Sequence, residues 1–207
     1  MNISRILFPV KVLGIGNRVG IWFSGCSRKC PGCSNPELWE PDQKSEISLS
    51  KLKLLINKLA SKHKIDGFTI TGGEPFEQAK DLLELVSFLN SLTQDILLYT
   101  GYSLQNLLKN SSDVISEILA SIAVLIDGEY IEEFNNDSPL RGSCNQNIYI
   151  FNTYLHDSYI RYFKSASNVI QNFTTTNGIV SVGIHRKNFT YDIERILFNQ
   201  AERSVHV

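Results

Sequence analysis

The stretch Gly67-Phe68-Thr69-Ile70-Thr71-Gly72-Gly73-Glu74-Pro75 decides the fold. Its first five residues form a short β-rich run, and the paired glycines end that run in a turn. From there apolar residues recur at Phe76, Ala79, Leu82, Leu83, Val86 and Leu89, the spacing of an amphipathic helix. Strand, glycine loop and helix in that order are the unit of a parallel sheet with right-handed crossovers.

The unit recurs on either side. Upstream, after a polar connector at 40–48, Leu49, Leu52, Leu55, Ile56 and Leu59 fall at helical spacing behind Ser48, a suitable N-cap. Downstream, a strand at 95–100, a helical stretch from Ser103 to about Ser121 and a strand at 123–127 repeat the alternation. The opening reads as strands near 5–12 and 19–24, joined by a turn at Gly14-Ile15-Gly16-Asn17-Arg18. Beyond Gly142 the pattern predicts strands at 147–151, 168–173 and 178–184 and a helix at 191–200. No low-complexity linker interrupts the chain, so residues 1–207 read as a single domain, with a core at about 5–147 and an extension at about 148–207.

Composition narrows the class of function. The 207 residues are 43% hydrophobic with a formal net charge of −1, and Lys and Arg are scattered, so nothing favours a nucleic acid backbone as partner. No run of about eighteen apolar residues occurs, and the N-terminal apolar run is broken by Pro9 and Lys11, so neither membrane insertion nor export is expected. Three of the four cysteines lie within eight residues, a spacing suited to gripping metal in a reducing cytoplasm.

Those three form Gly25-Cys26-Ser27-Arg28-Lys29-Cys30-Pro31-Gly32-Cys33, a C-x3-C-x2-C spacing. Three thiolates on a four-iron cube leave one iron open to an outside ligand. A structural zinc site is the alternative, with Cys144 or His63 as fourth ligand. Three bare thiols are the poorest reading, because they would be prone to oxidation.

The segment GCSRKCPGCSNPELW at 25–39 resembles the cluster loop of the radical S-adenosylmethionine superfamily. Its Cys-Pro-Gly-Cys-x-Asn-x-x-x-Trp form is similar to that of the anaerobic ribonucleotide reductase activating proteins. Thr71-Gly72-Gly73-Glu74-Pro75 resembles the superfamily's Gly-Gly-Glu-Pro loop, and Thr100-Gly101-Tyr102, Asp127-Gly128 and Arg141-Gly142-Ser143-Cys144-Asn145-Gln146 resemble further elements of the activating proteins in the correct order.

The resemblance implies an α/β fold of a particular kind, a partial, open β/α barrel with mostly parallel strands. It implies a [4Fe–4S] cluster on Cys26, Cys30 and Cys33, and S-adenosylmethionine held by Gly72, Gly73, Glu74, Thr100, Asp127 and Arg141. The implied reaction is reductive cleavage to a 5′-deoxyadenosyl radical, with no catalytic side chain beyond the two cofactors. The substrate would be a glycine of a glycyl-radical enzyme, and the electron donor a flavodoxin or ferredoxin. Arg18, in the Gly14-x-Gly16-x-Arg18 turn, would lie near the cluster or the partner's loop.

Each motif also has a plain structural reading. A Gly-Gly-acid sequence makes a turn and a helix start, Thr and Asp cap strand-to-helix turns, Arg18 and Arg141 suit a surface, and Cys144 suits a buried apolar site. The activating proteins end near the arginine element, whereas this chain runs on for some sixty residues, including a basic cluster at Val182-Gly183-Ile184-His185-Arg186-Lys187. That extension suits an enzyme acting on a peptide or small molecule as the second reading. A zinc-braced binding module is the third.

Overall fold

The computed structural model describes residues 1–41, 45–110, 112–176 and 178–189. Six strands, β1 (Ile3–Val10), β2 (Arg18–Phe23), β3 (Gly67–Gly72), β4 (Ile96–Tyr99), β5 (Val124–Asp127) and β6 (Asn147–Ile150), form one sheet in sequence order. β2 to β5 run parallel, and the two edges, β1 and β6, run antiparallel to their neighbours. The fold is therefore mixed α/β with a mostly parallel central sheet.

Helices α1 (Leu49–Ala60), α2 (Ala79–Asn90), α3 (Leu104–Lys109) and α4 (Asp113–Ser121) make the crossovers. Ser48 caps α1 as its position predicts, its hydroxyl accepting from the Lys51 amide at 3.3 Å. α2 is preceded by a short 3-10 turn, Pro75–Gln78, because Pro75 has no amide to extend a helix backward. The single helix expected over 103–121 is two, α3 ending at Lys109 and α4 beginning at Asp113.

All four helices cover one face of the sheet. Leu52 and Ile56 of α1, Leu82, Leu85, Val86 and Leu89 of α2, and Ile118 of α4 pack on Val19, Ile21, Phe23, Phe68, Ile70, Ile96, Leu98 and Leu125. Each such side chain contributes about 1.5–3 kcal/mol on leaving water. Leu55, which falls at the same helical spacing, is 48% exposed.

The other face is covered by residues beyond 149. α5 (Thr153–Ser165), which the sequence reading did not anticipate, sets Leu155, Tyr159, Tyr162 and Phe163 against Leu97, Val124, Ile126, Ile148 and Ile150. Strands β7 (Gln171–Thr175) and β8 (Gly178–Val182) form a separate hairpin whose Phe173, Val180 and Val182 pack on Val10, Leu13, Trp22 and Leu38. Gln171 fastens the hairpin to the β1 end, accepting from the Lys11 amide at 2.9 Å and donating to the Pro9 carbonyl at 2.8 Å. The helix expected at 191–200 lies outside the described residues. Among those described, no helix is long and apolar enough to cross a membrane.

Candidate functional site

In the parallel register Phe23 stands beside Gly72, Ile70 beside Leu98 and Tyr99 beside Ile126, so the loops that follow β2 to β5 emerge along one edge. The cysteine loop leaves from Phe23. Its two ends are tied together where the Gly25 amide donates to the Leu38 carbonyl and the Cys26 amide to the Trp39 carbonyl, each at 2.8 Å.

The Gly-Gly-Glu loop lies directly against the cysteine loop. The Gly73 amide donates to the Phe23 carbonyl and the Glu74 amide to the Gly25 carbonyl, both at 2.8 Å. A Cβ on Gly73 would stand 2.2 Å from the Gly25 oxygen, a contact with backbone that no rotamer relieves, so this approach requires glycine.

Cys26, Cys30, Cys33, Gly72, Gly73, Glu74 and Thr100 line one cavity of about 180 Å³. Arg28, Tyr130, Gln146 and the segment Ser181 to His185 complete its wall. The three thiols are half-buried and free. Burial pushes each of them up, opposed by amide donors from Arg28 and Lys29 at Cys26, from Tyr130 at Cys30 and from Asn35 at Cys33. Among the described residues, no three His, Cys, Asp or Glu side chains converge as a single bound ion requires. A cube asks for something different, one thiolate on each of three separate irons.

Glu74 is 1% exposed and bridges the β3 and β4 loops. Its carboxylate accepts from the Thr100 hydroxyl at 2.8 Å, the Gly101 amide at 2.7 Å and the Phe76 amide at 3.0 Å. Burial pushes its pKa up to about 7 against those three donors. A carboxylate has about four acceptor positions, so one stays open beyond these three donors.

Arg28, inside the triplet, pairs with Glu129 at 3.3 Å and lies over the Tyr102 ring at 5.1 Å, leaving Nε buried and unpartnered. An iron–sulfur cluster fits this donor set on two observations: the three thiols share one cavity, and Arg28, whose Nε is unpartnered, lines the same cavity.

Two other expected residues are not in the cavity wall. Asp127 is fully buried, and its carboxylate accepts from the Leu104 amide at 2.5 Å and from the Asn147 amide and side chain at 3.2 and 3.0 Å, tying α3 to β6. Arg141 donates to the Gln146 carbonyl at 3.1 Å, while the neighbouring Gly142 and Gln146 do line the cavity.

Arg18 is neither near the cysteines nor on the surface. It opens β2, five residues and roughly 17 Å of strand away from Phe23, and is fully buried. Cys144, expected to be buried, is exposed, and His63 packs on the Phe8 ring at 5.3 Å, so neither stands in this cavity. The sequence reading missed Arg28, Tyr130 and Gln146 as wall residues. Arg28 and Gln146 lay inside motifs already picked out, and His185 lay in the basic cluster.

A loop of three thiols packed on a glycine–carboxylate loop, at the carboxyl edge of a mostly parallel sheet, marks an iron–sulfur class of protein. A family model described as a 4Fe-4S single cluster domain matches residues 12–149. The chain belongs to that family, alongside the anaerobic ribonucleoside-triphosphate reductase-activating proteins. It is 33% identical to the protein of that name from Enterobacteria phage T4 over 72% of this chain and 94% of the relative. For the Pasteurella multocida protein the identity is 32%, over 71% and 96%. For the Escherichia coli K12 protein it is 30%, over 69% and 94%.

Proposed function

We propose that this chain binds a [4Fe–4S] cluster through Cys26, Cys30 and Cys33, cleaves S-adenosylmethionine, and activates an anaerobic ribonucleotide reductase by removing a hydrogen from a glycine of that enzyme. The observation that carries the reading is the packing of the Gly72–Glu74 loop on the cysteine loop around one cavity. When bound, the cluster and S-adenosylmethionine together supply the electron and the 5′-deoxyadenosyl radical that takes the hydrogen.

The chain's own residues then have separable tasks. Glu74 receives the ammonium of S-adenosylmethionine at its free acceptor position, and Gly72 and Gly73 let the main chain lie against the ligand. Thr100 holds the Glu74 carboxylate in place. Asp127 acts at one remove by fixing the start of α3, and Arg141 by shaping the loop that presents Gln146. The sheet with α1 to α4 on its outer face serves as the wall of an open β/α barrel, residues 1–207 work as one unit in the cytoplasm, and a flavodoxin or ferredoxin delivers the electron.

One observation favours a second reading, an enzyme acting on a peptide or small molecule. Residues beyond the family match cover the second sheet face and line the cavity, which narrows the approach for a large partner.

The test is anaerobic reconstitution with iron and sulfide, then dithionite and S-adenosylmethionine, in wild type and Cys30→Ala. The reading expects 5′-deoxyadenosine and methionine from the wild type alone, and a glycyl radical signal when the reductase is added. A wild type that forms neither product contradicts it; products without a glycyl radical favour the second reading.

A further inference from the structure

The segment beyond residue 149 lies outside the family match, yet Ser181 to His185 form part of the cysteine cavity's wall. Nε2 of His185 is buried and has no hydrogen-bond partner. The residue lines both this cavity and an adjoining one of about 420 Å³, and Cys33, Ser34 and Tyr130 are common to the two. His185 and Cys33 therefore border the same two cavities.

The His185 ring is held in place. It stacks on Phe189 at 4.1 Å with the planes 1° apart, and the His185 carbonyl accepts from Asn135 Nδ2 at 2.9 Å. An imidazole carries at least one ring N–H in either protonation state.

A second donor shares one of these cavities. Trp39 lines the adjoining cavity with Cys33 and His185, and its buried Nε1 has no hydrogen-bond partner. The Asn35 amide already donates to Cys33 Sγ at 3.4 Å. A buried donor without an acceptor costs about 1–3 kcal/mol, so two around one cavity mark a place where an acceptor belongs.

We propose that His185 and Trp39 donate hydrogen bonds to the Cys33 corner of the bound cluster, and that the segment beyond residue 149 thereby raises the cluster's reduction potential. Donors to cluster sulfur stabilise the more negative, reduced state, and an electron enters more readily. The proposal rests on the cluster half of the reading above and is independent of its S-adenosylmethionine half.

The experiment is a reductive titration of the reconstituted full-length chain without S-adenosylmethionine, followed by electron paramagnetic resonance, in wild type, His185→Phe, His185→Gln and Trp39→Phe. His185→Phe shifts the reduction equilibrium about tenfold toward the oxidised form, a midpoint ~59 mV more negative for a one-electron couple. His185→Gln, which keeps an N–H, recovers most of that shift, and Trp39→Phe moves the midpoint the same way. Equal midpoints in all four chains overturn the proposal. Where a variant loses its cluster, wild type carrying 15N-histidine decides: a weak 15N coupling to the reduced cluster supports the proposal and its absence overturns it. A wild type that takes up no cluster overturns both the proposal and the reading, whereas a cluster that titrates as described but cleaves no S-adenosylmethionine removes only the latter.

Discussion

The two ends of the parallel strands differ in how completely their buried nitrogen donors are satisfied. At the amino ends every nitrogen of the buried Arg18 guanidinium has partners. Nε donates to Thr69 at 2.7 Å, one terminal nitrogen to Asp95 at 2.9 Å and the Ile15 carbonyl at 3.2 Å, and the other to the Phe68 carbonyl and to Asp95. Tyr159 of α5 completes the set by donating to Asp95 at 2.6 Å. At the carboxyl ends, Arg28 Nε, Trp39 Nε1, Arg141 Nε and His185 Nε2 are buried without partners. The first end is finished as scaffold. The second is built around a guest.

The contrast breaks most visibly at Asp95. Asp95→Ala leaves Arg18 charged and buried with no counter-ion, and removing one partner of such a pair costs about 3–5 kcal/mol. A urea midpoint measures this, and Cys26→Ala in the metal-free chain moves the same midpoint by only about 0.5 kcal/mol. Equal losses in the two variants would erase the distinction between the ends.

Glu74 sharpens it. Its pKa, raised from 4.5 to about 7, means that the folded metal-free chain holds the carboxyl proton more tightly than the unfolded one. The stability it contributes is complete below pH 4.5 and is lost as pH rises to about 7, by ~3 kcal/mol at about 1.4 kcal/mol per unit. Urea midpoints measured across that range fall in wild type and stay level in Glu74→Gln. Parallel curves would contradict the account.

A smaller effect than those at Asp95 and Glu74 belongs to Tyr159→Phe. Losing one hydrogen bond to Asp95 costs about 1–2 kcal/mol in the urea midpoint, with no change in cluster uptake. A change in cluster content would mean that the two ends are coupled.

These positions also show what was legible in the sequence. The cysteine triplet, Gly72–Glu74 and Ser48 are local signals, in which spacing alone constrains the chemistry, and the crossover helices follow from apolar periodicity. Arg18 was misjudged because its partners Thr69 and Asp95 are distant in sequence and only the sheet brings them together. α5 went unread because its middle is polar. The Asn152 cap, whose side chain accepts from the Tyr154 amide at 3.0 Å, and the spacing of Leu155, Tyr159 and Tyr162 were the available signals. His185 reaches the wall of the cysteine cavity only through the fold of the hairpin, which no local pattern announces.

The most direct test of the central claim is the electron paramagnetic resonance spectrum of the dithionite-reduced, reconstituted chain with and without S-adenosylmethionine. A three-cysteine cluster with an open position predicts a [4Fe–4S]+ signal in wild type that changes shape when S-adenosylmethionine is added. A signal that S-adenosylmethionine leaves untouched, or a zinc-loaded chain with no signal at all, would contradict the account.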